Sequence, residues 1–342
     1  MVRVVGVDVA RGVAVLGMMT AHVGPEPTGG GLPARAAGAV LGLAHGRPSA
    51  LFVVLAGLSL ALLSGGPRLV TGPELIRART RILVRAVLVL GLGVGLVALD
   101  TPVVVILPTY AVLFLGGCAV LTWPRRALVA GAVVVALVGP VVRASLAPRL
   151  SGDLADLFVG DFYPAVVWFA YLLAGLALGR SDLRSVRVRA VTAATGAALL
   201  VVGYGGAALA SHVEVVHDLF GGRTSTQPHS STTFEVTANT GTALLVVVAC
   251  LLAAERFPRA TNPLAAVGAL ALTAYTVHIV VIALVGPEVV YVPSPLAWLV
   301  LLAVTVLACW AWRRRLGRGP LERVLHTAST WVADRAVRAV RT

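Results

Sequence analysis

The sequence predicts an all-α fold: a polytopic transmembrane helical bundle of about ten spans with both termini in the cytoplasm. Three observations carry this. Of 342 residues, 58% are hydrophobic and only 13% charged, about half the charged share of an average soluble domain. Apolar stretches approaching the roughly 20 residues that cross a bilayer recur along nearly the whole chain. The net charge of +13 comes from arginines gathered in short connections, dense and sparse by turns.

The predicted spans are 6–24, 48–64, 82–99, 103–123, 127–146, 163–179, 190–210, 237–254, 264–285 and 295–312. The first reads as a retained span, because no small-residue cleavage site follows it. One side of the membrane receives Arg3, Arg68, Arg77, Arg79, Arg81, Arg125, Arg126, Arg180, Arg184, Arg187, Arg189, Arg256, Arg259, Arg313, Arg314, Arg315 and Arg318. The other receives only Arg35, Arg47, Arg149 and Arg223, with Arg143 near a span end. Arginine is retained inside during insertion, so the rich side is the cytoplasm. Two domains follow: a bundle over 1–312 and a basic cytoplasmic tail over 313–342, whose 321–340 segment has the periodicity of a membrane-surface helix. The expected location is the plasma membrane.

A basic chain can signal nucleic-acid binding, but arginine confined to loops between spans is topology information, so no nucleic-acid partner is expected. Cys118, Cys250 and Cys309 sit in apolar segments without metal-ligand spacing, which predicts free buried thiols and no metal. The chain lacks a GxSxG elbow, a Walker loop, an HExxH motif and a Cys/His box. Gly91, Gly93 and Gly95 lie inside a span and read as close helix packing.

Ionisable residues inside spans are costly, so each is a candidate for function. Arg11 and His22 are eleven residues apart, three helical turns plus about 20°, which puts both on one face with a rise of about 16 Å. Asp8 lies one turn before Arg11 and can pair with it. The structural alternatives are an interface ion pair and a satisfied histidine. His278, in a span running outward, falls in the outer half at a depth comparable to His22. Two imidazoles there fit proton handling. His45, Arg47 and Ser49 open the second span, where Arg47 suits an anion or polar headgroup. Alternatively, Pro48 simply marks a helix start. Pro108 inside span four predicts a kink, with Tyr110 beside it as a hydrogen-bond donor. His229 and Glu235 in the outer loop before span eight are candidates for acceptor binding, or else a solvated loop.

The stretch Asp8-Val9-Ala10-Arg11-Gly12 and the ten residues from Arg11 to His22 resemble the opening helix of the transmembrane acyltransferases. That group includes the heparan-alpha-glucosaminide N-acetyltransferases and the bacterial membrane O-acyltransferases. The latter carry Arg, ten residues, then His, which Arg11 and His22 match. The former carry D-x-x-R-G, matched by Asp8, Arg11 and Gly12, with Asn at the place of His22. Ser49 to Gly57 resembles their apolar second-span segment. Ile106 to Ala111 and Leu272 to His278 resemble I-L-x-x-Y-A and L-T-x-Y-x-x-H elements of bacterial multi-pass proteins of unassigned function.

The resemblance implies that an acyl group, acetyl above all, passes from cytoplasmic acyl-CoA to a hydroxyl or amine of a glycan, lipid or small acceptor outside. It implies that Arg11 helps bind the CoA end and that His22 is the general base or acyl carrier. The residues themselves add Asp8 and Tyr110 as candidates at the CoA end, His278 and His45 for the chemistry, and Arg47, His229 and Glu235 for the acceptor. The glucosaminide branch places its catalytic His in the loop after span one, where residues 33–37 here hold none. His45 is the nearest. A proton-coupled transporter or flippase using the same polar residues is the alternative. A homo-oligomer is left open.

Overall fold

The computed structural model describes residues 4–25, 38, 41–292 and 294–340, and the side chains of Val216, His217 and Leu219 fall outside it. Arg3, Arg35 and the 33–37 segment lie outside the described residues. The described chain is helical, without a strand. In order the helices are α1 Val5–Val23, α2 Arg47–Leu63, α3 Gly72–Val97, α4 Leu107–Ala119, α5 Arg125–Leu146, α6 Asp153–Val159, α7 Ala165–Gly179 and α8 Val186–Leu200. A π-turn, Val201–Gly205, leads to α9 Gly206–His212 and α10 Glu214–Leu219. Then come α11 Thr233–Arg256, α12 Pro258–Ala269, α13 Ala271–Val285, α14 Glu288–Tyr291, α15 Pro295–Leu316 and α16 Pro320–Ala339.

Every predicted span falls on a helix or helix pair. Among the described residues, five helical runs are long and apolar enough to cross a membrane: α3, Arg125–Arg149, Val186–His212, α11 and α15. The pair α12–α13, bent by 70°, makes a sixth if it is one span. Helices α2, α4 and α7 are apolar but shorter. Helix α1 has the length but carries Asp8, Arg11 and His22.

The departures from expectation have physical causes. Helix α3 begins ten residues before its predicted span because Arg77, Arg79 and Arg81 are good helix formers, whereas hydropathy reports only the apolar part. Pro108 is no kink: it occupies the first turn of α4, where its missing N–H costs nothing. The predicted ninth span breaks at Leu270, between α12 and α13. The orphan amides at the start of α13 find a partner in the tail, since Thr273 N–H donates to Glu322 Oε1 at 3.0 Å and the Thr273 hydroxyl to Oε2 at 2.6 Å. Helix α16 buries Ser329, Ala333 and Val337 within the protein, while Val324, Trp331 and Val340 are exposed. Arg77 pairs with Asp334 at 3.1 Å. The tail's inner face therefore packs on protein. The three cysteines are free and buried, as expected.

Two compact units divide the chain. One holds Met1–Phe52, Val94–Val105 and Val246–Val324; the other holds Val53–Gly93, Ile106–Leu245 and Leu325–Thr342. In the first unit α1 crosses α12 backbone against backbone. A Cβ on Gly12 would run into the carbonyl of Leu264, and one on Gly268 into the carbonyl of Asp8. Small residues at such crossings allow Cα–H···O contacts that stand in for the hydrophobic drive lipid does not supply. The second unit repeats the device: Gly57 of α2 faces the Leu172 carbonyl, and Gly175 of α7 faces that of Val54. Gly268→Val must separate α1 from α12. Overpacking a tight contact costs about 1–3 kcal/mol or more, so a clear fall in the thermal midpoint in detergent is expected. An unchanged midpoint would show the crossing to be soft.

Candidate functional site

The last turn of α1 presents His22, and the second turn of α13 presents His278. Both belong to the first unit. Nδ1 of His22 lies 3.0 Å from Nε2 of His278, and the ring planes are within 14° of each other. His278 is almost wholly buried, 1% exposed, with Tyr275 edge-on to it at 5.2 Å. Its Nδ1 is buried without a hydrogen-bond partner, and the backbones of Ala274 and Tyr275, one turn earlier, act on the ring. Carbonyls only accept, so Nδ1 suits the N–H of a neutral His278. Nε2 of His278 is then the acceptor, and His22 donates through Nδ1–H. That tautomer leaves the lone pair of His22 on Nε2.

His22 lines a cavity of about 420 Å³ together with Thr20, His45 and Tyr291. The two sequence candidates His22 and His45 thus border one space, and His278 backs it through the hydrogen bond. Thr20 is fixed on both sides: its hydroxyl donates to Leu16 O at 2.9 Å and accepts from Trp298 Nε1 at 3.1 Å. A second cavity of about 360 Å³ holds Asp100, Thr101 and Gly286, and Tyr291 lines it too. Asp100 sits at φ 50°, a conformation rare outside Gly and Asn/Asp, and the buried Thr101 hydroxyl oxygen has no partner. Sequence reading missed Tyr291, Thr20, Trp298, Asp100 and Thr101. All lie in loops or short helices, or depend on contacts between distant segments.

Asp8 and Arg11 form the expected ion pair, at 2.7 Å. The Asp8 side chain is 6% exposed and that of Arg11 26%. Asp8 lies in the first turn of α1, where negative charge is favoured. Between Arg11 and His22 the helix buries Ala14, Val15, Met18 and Met19. Arg47 opens α2 and donates from Nη1 to Gly42 O at 2.9 Å.

The other three sequence candidates belong to the second unit. Tyr110 is buried in the first turn of α4, edge-on to Phe114. His229 stands among Phe162, Tyr163 and Trp168, and its Nδ1 is 2.9 Å from Phe162 O. Glu235 is buried, and its carboxylate is taken up by its own loop. It accepts from His229 N–H at 2.8 Å, from Ser231 N–H at 2.6 Å and from the Ser230 hydroxyl at 3.1 Å. Thr232 Oγ1 accepts from Glu235 N–H at 3.0 Å. This is a capping box for α11, with the carboxylate reaching further back than usual. His229 and Ser231 both have positive φ, 62° and 53°, and the Glu235 bonds hold that strained loop. Glu235→Ala leaves one buried and one half-buried amide without acceptors, at about 1–3 kcal/mol. The expected result is a lower thermal midpoint; an unchanged midpoint with weakened acceptor binding would assign Glu235 to acceptor binding instead.

Among the described residues no three His, Cys, Asp or Glu side chains gather as metal ligands.

Residues 3–211 match the family described as heparan-alpha-glucosaminide N-acetyltransferase, catalytic. Residues 178–332 match a second family, a protein of unknown function designated DUF418. No individual curated protein matches. The first match covers more than half of the chain and includes α1 with Asp8, Arg11 and His22. The second includes α13 with His278. Taken with the apolar helices, these matches make the chain a membrane acyltransferase-like protein, and it belongs to the family of the heparan-alpha-glucosaminide N-acetyltransferase catalytic domain.

Proposed function

We propose that this chain is a multi-pass plasma-membrane acyltransferase that moves an acetyl group from cytoplasmic acetyl-CoA to a hydroxyl or amine acceptor on the outer side. In this reading ten spans cross the membrane and both termini are cytoplasmic. The observation that carries it is the His22–His278 hydrogen bond at the edge of a cavity that His45 also lines.

The roles follow from the bond. His22, with its lone pair on Nε2, is the base that touches the acceptor. His278, buried behind it, positions and polarises the ring. The acceptor oxygen gives its proton to His22 Nε2 and attacks the thioester carbonyl. The carbon–sulfur bond breaks, and the departing thiolate takes the proton back, so that ester and CoA thiol are the products. The Arg11 guanidinium, near the cytoplasmic end of the same helix, supplies positive charge for the CoA phosphates. The cavity holding Asp100 and Thr101 offers polar groups to an acceptor lying beyond Tyr291.

The test is thiol release from acetyl-CoA by the purified protein with a panel of sugar, glycerol and amine acceptors. Acceptor-dependent release supports the reading; none with any acceptor counts against it. One observation favours a second reading, the 70° break between α12 and α13. Broken helices mark ion and substrate sites in transporters. Proton-coupled uptake into liposomes without acyl-CoA would favour that reading.

A further inference from the structure

The second unit holds a groove of about 370 Å³ between α5, α7, α8 and α11, remote in composition from any histidine chemistry. Its walls are small or apolar: Ala132 and Ala136 on α5, Ala170 and Ala174 on α7, with threonines on α8 and α11. The threonines do not make it polar. Thr192, Thr237 and Thr240 each donate their hydroxyl to the carbonyl four residues back on their own helix, which turns methyl groups to the space.

The groove has a mouth and a floor. Arg125, the first residue of α5, lines one end. Arg187 is exposed and stands one turn before Val191, the first lining residue of α8. At the other end the Thr233 hydroxyl donates to Ala136 O at 3.0 Å and ties α11 to α5. Val202 of the π-turn also lines the groove. π-turns are rare and concentrate at functional sites. From Arg125 to Ala136 is eleven residues, about 16 Å at 1.5 Å per residue. That is close to half of the ~30 Å hydrocarbon thickness, so the groove is one leaflet deep.

An apolar slot one leaflet deep, with arginines at its mouth, matches an acyl chain below an anionic headgroup. We propose that this groove binds one anionic phospholipid of the leaflet at the Arg125 end, with an acyl chain along α5 and the headgroup phosphate at Arg125 and Arg187. The site does not depend on the acyl-transfer reading.

Native mass spectrometry of the detergent-purified chain, titrated with phosphatidylglycerol or phosphatidylcholine of identical acyl chains, tests it. Wild type is expected to show one saturable lipid, with phosphatidylglycerol preferred about fivefold for each mouth arginine, from roughly 1 kcal/mol per basic residue near the surface. Ala132→Phe and Ala174→Phe fill the slot and should abolish the saturable step, with an unchanged circular-dichroism spectrum as the folding control. Arg125→Gln combined with Arg187→Gln should keep one lipid but remove the preference. Three results would overturn the proposal: scattered unsaturable adducts in wild type, a filled-groove variant that binds like wild type, or a double glutamine variant that keeps the full headgroup preference.

Discussion

His22→Ala should lower acetyl transfer by about 10²–10⁴-fold, the usual contribution of a positioned general base, with only a modest fall in the thermal midpoint. The ring borders a cavity, so water can reach the His278 Nε2 that loses its donor. The variant also leaves an imidazole-sized space next to a cavity of about 420 Å³, so added imidazole should restore part of the rate. His278→Gln tests the division of labour. It leaves His22 in place but removes the acceptor that holds His22 Nδ1–H at 3.0 Å. The expected loss is smaller, on kcat rather than KM, with a shifted pH profile and no imidazole rescue. If His278→Gln proved the more damaging and the one rescued by imidazole, the roles of the two rings would be reversed.

Arg180→Met should be the most destabilising single change in the second unit. Arg180 follows α7 and is 7% exposed, yet the groups it donates to are all neutral. Nη1 donates to Ser64 O at 3.0 Å and Gly66 O at 2.9 Å. Nη2 donates to Ser64 Oγ at 2.9 Å and Leu121 O at 2.6 Å. These carbonyls follow the C-termini of α2 and α4, where the helix dipoles carry partial negative charge. One buried cation thus joins three helix ends. Burial draws its pKa down, but a guanidinium keeps its proton in a protein. Removing it leaves several buried acceptors without donors, and each costs about 1–3 kcal/mol. Arg180→Lys keeps the charge but not the planar fork and should fall between. Because Cys118, Cys250 and Cys309 are all buried, a thiol-reactive dye will report unfolding directly. A methionine variant that melts with wild type would show the clamp to be dispensable.

Arg180 also shows where sequence reading stops. In the sequence it is one more loop arginine marking the cytoplasmic side, and hydropathy does not separate a solvated arginine from one clamped on carbonyls. The helices themselves were legible, because lipid imposes long apolar runs on the chain. The break at Leu270 was not: no proline marks it, and Glu322, which caps the new helix start, lies 49 residues from Thr273. The orientation expected from the arginines gives His22 and His278 a similar depth. Their lateral meeting, across 256 residues, depends on α1 crossing α12 at Gly12 and Gly268, and no single segment encodes that. Glu235 carries a second, structural signal. A T-x-x-E pattern ahead of an apolar run is a capping signature, and Thr232 to Glu235 carries it.

The central claim is acyl transfer across the membrane at the His22–His278 pair. Sealed vesicles bearing the protein, loaded with the hydroxyl or amine acceptor that supports thiol release, should be given radiolabelled acetyl-CoA on the face that carries the arginine-rich loops. Wild type is expected to label the enclosed acceptor, and His22→Ala to label it at least about a hundredfold more slowly. Equal labelling by both proteins, or labelled acceptor only when donor and acceptor share one side, would contradict the account.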